Sequence, residues 1–262
     1  MNIVMDKSYL RGENEDKIKT LAIDNQYFIT RSFLYGVVKE SASKRAQLFK
    51  KFNKENPYIL LPTFSNLFQY EMQNQKSCGL PSIHVKQRDY SLHTNLCNKD
   101  YHLTKEQLIV FQDEKDLLNV MLNIFMLIIE NNMKSKNTIN QKDLEDKIIN
   151  DDSFIRMQYE NLILSEQVFE NTIKPKKELL NTEWFTFRWL QLMNLFTIDF
   201  AYRYDSMDII TKSENAKEKI RHDILDLEYL LFGITEGAFA TKEKKLMKWF
   251  YWLSKDGTCI DD

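Results

Sequence analysis

Four carboxylates bracket this chain: Asp6 near its start, and Asp223, Asp226 and Glu243 near its end. A cluster of carboxylates with few histidines selects hard divalent ions, Mg²⁺ or Mn²⁺, over zinc. An ion held that way activates a water and neutralises charge on a phosphodiester in the transition state. Without the cation, neighbouring carboxylates repel and their pKa values rise. Each acid also has a plain structural use. An aspartate after a first strand caps the following helix, acids on an exposed helix face are solvated, and a glutamate at a helix start is favoured by the helix dipole. Only the combination points to chemistry.

The surrounding sequence sets out the elements that must bring these acids together. The apolar run Ile3-Val4-Met5 predicts a buried strand that Asp6 ends. Residues 7–23 read as a helix interrupted at Gly12, and 27–30 as a second strand. Residues 32–52 read as one helix, 58–61 as a third strand between Pro57 and Pro62, and 63–74 as a helix. Residues 75–100 have no period and hold Gly79, Pro81, His84, Arg88, His93 and Cys97, which reads as a long loop. From Thr104 to about Ser213 the pattern is helical. Thr104 and Gln107 form a capping pair at its start, and Pro175 is placed to open the helix that carries Trp184, Phe185, Phe187, Trp189, Phe196 and Phe200. Aromatics on several faces imply that this helix is deeply buried. Residues 216–232 read as a helix ending at Gly233, 237–241 as a strand, and 242–254 as a final helix with Leu246, Trp249, Phe250 and Leu253 inward.

This alternation predicts an α/β fold, a parallel sheet flanked by helices, with a large helical insertion. Residues 1–75 and 215–255 would form the α/β core of a single domain spanning 1–262, and 104–213 the helical insertion or lobe. Ligands of open parallel sheets bind outside the carboxyl ends of the strands. Asp6 and the Thr241-Lys242-Glu243 segment fall at such ends. Asp223 and Asp226, three residues apart, share a face of the preceding helix.

Composition narrows the partners. Length of 262 residues suits one large domain. Thirty-six Lys and Arg against 38 Asp and Glu leave a net charge of -2, so any nucleic-acid surface must be local. Six Gly and four Pro favour long helices and argue against an all-β fold. Cys78, Cys97 and Cys259 include no CxxC pair, which argues against a disulfide framework or a cysteine zinc site and fits a cytoplasmic setting. The start has no apolar signal-peptide region. The longest apolar stretch, 120–129, is far short of the roughly 20 residues of a membrane span.

At these acids the chain resembles the PIN-like nuclease superfamily, as an uncharacterised bacterial branch. The opening Ile3-Val4-Met5-Asp6-Lys7-Ser8-Tyr9-Leu10 is similar to its first strand and first metal-site acid. The segment from His222-Asp223-Ile224-Leu225-Asp226 through Glu228-Tyr229-Leu230 is similar to its last acidic helix, and Gly237-Ala238-Phe239-Ala240-Thr241-Lys242-Glu243 to its final strand with a threonine and an acid at the end. Phe28-Ile29-Thr30 through Lys44-Arg45 resembles its second strand and following helix. The resemblance covers 1–75 and 215–255 and leaves the middle out. It implies a Mg²⁺- or Mn²⁺-dependent endoribonuclease with Asp6 as central ligand, Asp223 or Asp226 as a second, and Glu243 in place of the usual aspartate. It also implies a glutamate early in the helix after the second strand, where this chain has Gly36; Glu40 lies one turn later.

Three functional readings follow. The first is an endoribonuclease, a toxin or defence effector, in which Gly36 is either native degeneracy or an inactivating change. The second is a degenerate PIN-like domain that binds RNA or protein. The third is a helical protein whose middle block docks a partner. Lys44, Arg45, Lys242 and Lys244 are the cations expected to meet an RNA backbone, with Lys245 and Lys248 beside them. Tyr90, His93 and Tyr101 are candidates for base stacking.

Overall fold

The structure, a computed structural model, describes residues 1–85, 90–136, 138–164 and 174–261. The elements run β1 (Asn2–Met5), α1 (Lys7–Gly12), α2 (Glu15–Asp24), β2 (Gln26–Ile29), α3 (Arg31–Val38), α4 (Ala42–Phe49), β3 (Ile59–Leu60), α5 (Phe64–Asn74), α6 (Tyr90–Leu96) and α7 (Lys105–Ser135). They continue with α8 (Gln141–Asn150), α9 (Asp152–Tyr159), α10 (Phe185–Arg203), α11 (Met207–Lys212), α12 (Glu214–Glu236), β4 (Ala238–Ala240), α13 (Lys244–Leu253) and β5 (Thr258–Ile260). They form two compact units. One comprises Met1–Phe64, Leu80–Lys115 and Glu228–Asp262, and the other Ser65–Gly79 and Asp116–Leu227.

The first unit is α/β. Its five strands are all parallel, in the order β3-β2-β1-β4-β5. Parallel strands covered on both faces read as apolar runs rather than alternations, and Ile3, Val4 and Met5 are fully buried. The chain steps outward from β1 through β2 to β3, then returns to the other side of β1 for β4 and β5. The reversal puts the topological switch point between β1 and β4, where ligands of such sheets bind.

Several expectations hold in detail. The break at Gly12 separates α1 from α2. Thr104 and Gln107 cap one another: the Thr104 amide donates to Gln107 Oε1 at 3.0 Å, and the Gln107 amide to Thr104 Oγ1 at 3.3 Å. On α13, Leu246, Trp249, Phe250 and Leu253 are the buried residues.

Others need correction. The helix expected over 32–52 is two helices, because Ser41 caps a new one by accepting from the Lys44 amide. The loop expected over 75–100 carries a 3-10 turn at Pro81–His84 and the helix α6. Pro175 precedes a 3-10 turn at Lys177–Leu179, and the aromatic helix starts only at Phe185. Helix α12 runs through Gly233 and stops at Gly237, whose φ of +87° is the left-handed conformation glycine adopts freely. Gly233 serves packing instead: a Cβ there would lie 2.6 Å from the Phe239 ring of β4. Strand β5 was not anticipated from the sequence.

The second unit is helical, packed around α10. Among its residues, 185–187, 189–198, 200 and 201 are buried, in keeping with aromatics on every face. Trp184, the cap of α10, makes no side-chain capping bond. Glu71 of α5 takes that part: its carboxylate accepts from the Phe185 amide at 2.8 Å, the Thr186 amide at 2.9 Å, Thr186 Oγ1 at 2.7 Å and the Cys78 amide at 3.0 Å. A carboxylate at a helix N-terminus satisfies free amides and complements the dipole. Among the described residues no helix is long and apolar enough to cross a membrane.

Candidate site at the carboxyl edge of the sheet

The register aligns one residue from each strand end. Val4 pairs with Phe28, Met5 with Ala240, Ile29 with Leu60, and Ala240 with Ile260. One residue further on, Leu61, Thr30, Asp6, Thr241 and Asp261 form a row across the carboxyl edge. The backbone bonds Leu61 N to Ile29 O, Asp6 N to Ala240 O and Thr241 N to Ile260 O, 2.9–3.0 Å long, hold this row in place.

Asp6 lies at its centre, 1% exposed. It caps α1 by accepting from the Ser8 amide through Oδ1, while Oδ2 accepts from Ser8 Oγ at 2.7 Å and from Thr241 Oγ1. Ser8 Oγ accepts in turn from the Lys242 amide at 3.0 Å, and Thr241 Oγ1 from the Glu243 amide at 3.0 Å. The ends of β1 and β4 are thereby tied together across the switch point. Burial pushes the Asp6 carboxyl above its usual pKa, against the hydrogen bonds from Thr241 and Ser8.

A second acid stands at the same edge, and sequence reasoning passed over it. Thr30 caps α3, accepting from the Phe33 amide at 3.0 Å, and its hydroxyl lies 3.2 Å from Ser32 Oγ. Both hydroxyls bond Glu228, half-buried on α12. Burial raises the Glu228 carboxyl to about 7, and the charge of Glu114 on α7 adds to the rise; Ser32, Thr30 and Arg31 oppose it. Glu114 is itself raised, by burial above all.

Glu228 is the α12 acid that the α/β unit itself brings to the sheet edge. At about 100° of turn per residue, Asp226 sits about 160° around the helix from Glu228, and Asp223 about 140°. Both aspartates belong to the helical unit. There Asp223 is buried 4.0 Å from Arg203 of α10. The signal available in the sequence was the apolar run Tyr229-Leu230-Leu231-Phe232, which marks the stretch of α12 after Glu228 as the buried part.

Gly36, where the resemblance calls for an acid, is buried on α3. Lys7 Nζ donates to Gly36 O at 2.7 Å. A Cβ on Gly36 would meet that ammonium at 3.4 Å and Tyr229 Oη at 3.6 Å. Glu40 does not stand in for the missing acid: it pairs with Lys7 at 3.5 Å, with Lys44 at 3.1 Å and with Arg11. A lysine ammonium thus lies against the position expected to hold a carboxylate.

The chemistry of the donors bears on the expected Mg²⁺ or Mn²⁺. Such ions take several oxygens at once. Asp6 already accepts three hydrogen bonds, two of them on Oδ2. Glu243 is exposed at the start of α13. Among the described residues, no group of three or more His, Cys, Asp or Glu is arranged to hold a metal ion.

The expected RNA-binding cations divide. Arg45 is 5% exposed and donates to Tyr101 O at 2.7 Å, which removes it from contact with a phosphate. Lys242 is engaged with Glu13 at 2.8 Å and with Asp261 O at 2.9 Å, and its hydrogen bond holds the Glu13 carboxyl down at about 2. Lys44 is half exposed beside Glu40, and Lys244 is exposed. His93 is buried among Phe49, Phe52 and Tyr58, and Tyr101 Oη donates to Gln107. Arg88 and the Tyr90 side chain lie outside the described residues. Comparison with family models, curated proteins and solved structures finds no match to this chain.

Proposed function

We propose that the chain is a PIN-like domain that binds RNA at the carboxyl edge of its sheet and has lost the metal-dependent cleavage expected of such domains. The observation that carries this reading is the Lys7 ammonium packed on Gly36. A fixed cation there balances charge at the edge without a divalent ion, and it would repel one. The parallel sheet with Asp6 and Thr241 at its switch point supports the PIN-like part of the reading. A weakened Mg²⁺- or Mn²⁺-dependent endoribonuclease is the second reading. In its favour, the carboxyls of Asp6, Glu228 and Glu114 are all shifted upward, the condition of acids that a cation would relieve. Calorimetric titration of the full chain with Mn²⁺ separates the two. Degeneracy predicts no heat beyond that of roughly millimolar surface binding. A micromolar site lost in Glu243→Gln or Asp6→Asn would overturn it.

A further inference from the structure

We propose that the exposed face of α13 is a track for the phosphate backbone of single-stranded RNA, an inference that rests on the RNA-binding reading above and locates its contact surface. The ten residues of α13 include Lys244, Lys245 and Lys248 and no acid, and Lys255 follows two residues after its end. Glu243 and Asp256 flank these lysines, so residues 243–256 carry a net charge of +2 in a chain whose net charge is -2. Lys244, Lys248 and Tyr251 recur at intervals of four and three, hence on one line of the helix, and all three are exposed, as is Lys255. The rise along the helix separates Lys244 from Lys248 by about 6 Å, a step suited to successive phosphates of an extended strand.

Aromatic rings are interleaved with the cations. Tyr251 is 51% exposed, and Lys248 Nζ lies 4.1 Å from the centroid of the half-buried Trp252 ring. Charge for phosphates and open rings for bases are the two parts of a sequence-tolerant single-strand surface. Helix α13 begins at Lys244, three residues after Thr241 of the carboxyl-edge row, so the track leads from the candidate site. An anionic membrane is the poorer occupant. A surface-lying helix inserts its apolar face, and here Leu246, Trp249, Phe250 and Leu253 are buried in the protein.

The test is fluorescence anisotropy of a labelled twelve-residue oligouridylate with the full chain in EDTA, across a salt series. The triple variant Lys244→Gln, Lys248→Gln, Lys255→Gln is expected to bind about tenfold more weakly or worse, with a log-log salt slope shallower by about 2. Tyr251→Ala is expected to lose roughly fivefold or more with an unchanged slope. Unchanged melting temperatures check that these exposed substitutions spare the fold. Wild-type affinity in the triple variant overturns the track, and so does binding to phosphatidylserine vesicles without binding to the oligouridylate. Cleavage of the α13-bound RNA when Mn²⁺ replaces EDTA would instead overturn the degenerate reading and uphold the track.

Discussion

Glu228→Gln is expected to stabilise the protein above neutral pH and to leave its stability nearly unchanged in acid. In the fold the Glu228 carboxyl is raised from an ordinary 4.5 to about 7. Below pH 4.5 the group is protonated in the folded and unfolded chains alike, so its ionisation costs nothing. Between 4.5 and 7 the folded chain holds a proton that the unfolded chain has released, and stability falls as pH rises. Above 7 the whole difference is expressed, about 3 kcal/mol. Glutamine is neutral throughout, is close in shape, and still accepts from Ser32 and Thr30. Urea denaturation of both proteins at pH 5 and pH 8 reads the effect. The stability gain of the variant should be about 0.8 kcal/mol at pH 5 and approach about 3 kcal/mol at pH 8. Equal effects at the two pH values, or a loss at pH 8, would refute the burial and the coupling to Glu114 on which this rests.

Two further outcomes follow from the hydrogen-bond networks. Glu71→Ala strips three hydrogen bonds from the buried start of α10 and one from the Cys78 amide, and should lower stability by about 3–5 kcal/mol in urea denaturation, since buried donors are left unmatched; a loss under 1 kcal/mol would contradict the capping role. Thr241→Val removes a donor to the buried Asp6 and should cost about 1–3 kcal/mol, largely restored by Thr241→Ser, with thermal melts as the readout.

The parts of the fold that were legible in the sequence are those written locally. The apolar run before Asp6 marks β1, the Thr104 and Gln107 side chains mark the start of α7, and the spacing of Leu246, Trp249, Phe250 and Leu253 marks the inner face of α13. Strand β5 was missed because three half-exposed or exposed residues leave hardly any pattern; its strand state comes from pairing with β4. The end of α12 was misplaced because a glycine in a helix has two uses. Gly237 supplies a left-handed turn, whereas Gly233 makes room for Phe239, and only the packed structure separates them.

The candidate site was legible at Asp6 and Thr241, each at a strand end of an expected parallel sheet. Helix periodicity put Asp223 and Asp226 on one face but was silent on which stretch of α12 meets the sheet. Glu228 was found through the hydroxyls of Thr30 and Ser32, whose place at the edge depends on the register of β2 against β1. Gly36 was seen as a gap. That Lys7 packs against it is a contact between α1 and α3 that no local pattern encodes.

The most direct measurement of the central claim is to incubate the full wild-type chain with end-labelled single-stranded RNA and Mn²⁺, and to resolve bound from free and intact from cleaved RNA. A degenerate, RNA-binding domain retains the RNA and leaves it intact. Mn²⁺-dependent cleavage by the wild-type chain that disappears in Asp6→Asn would contradict that claim.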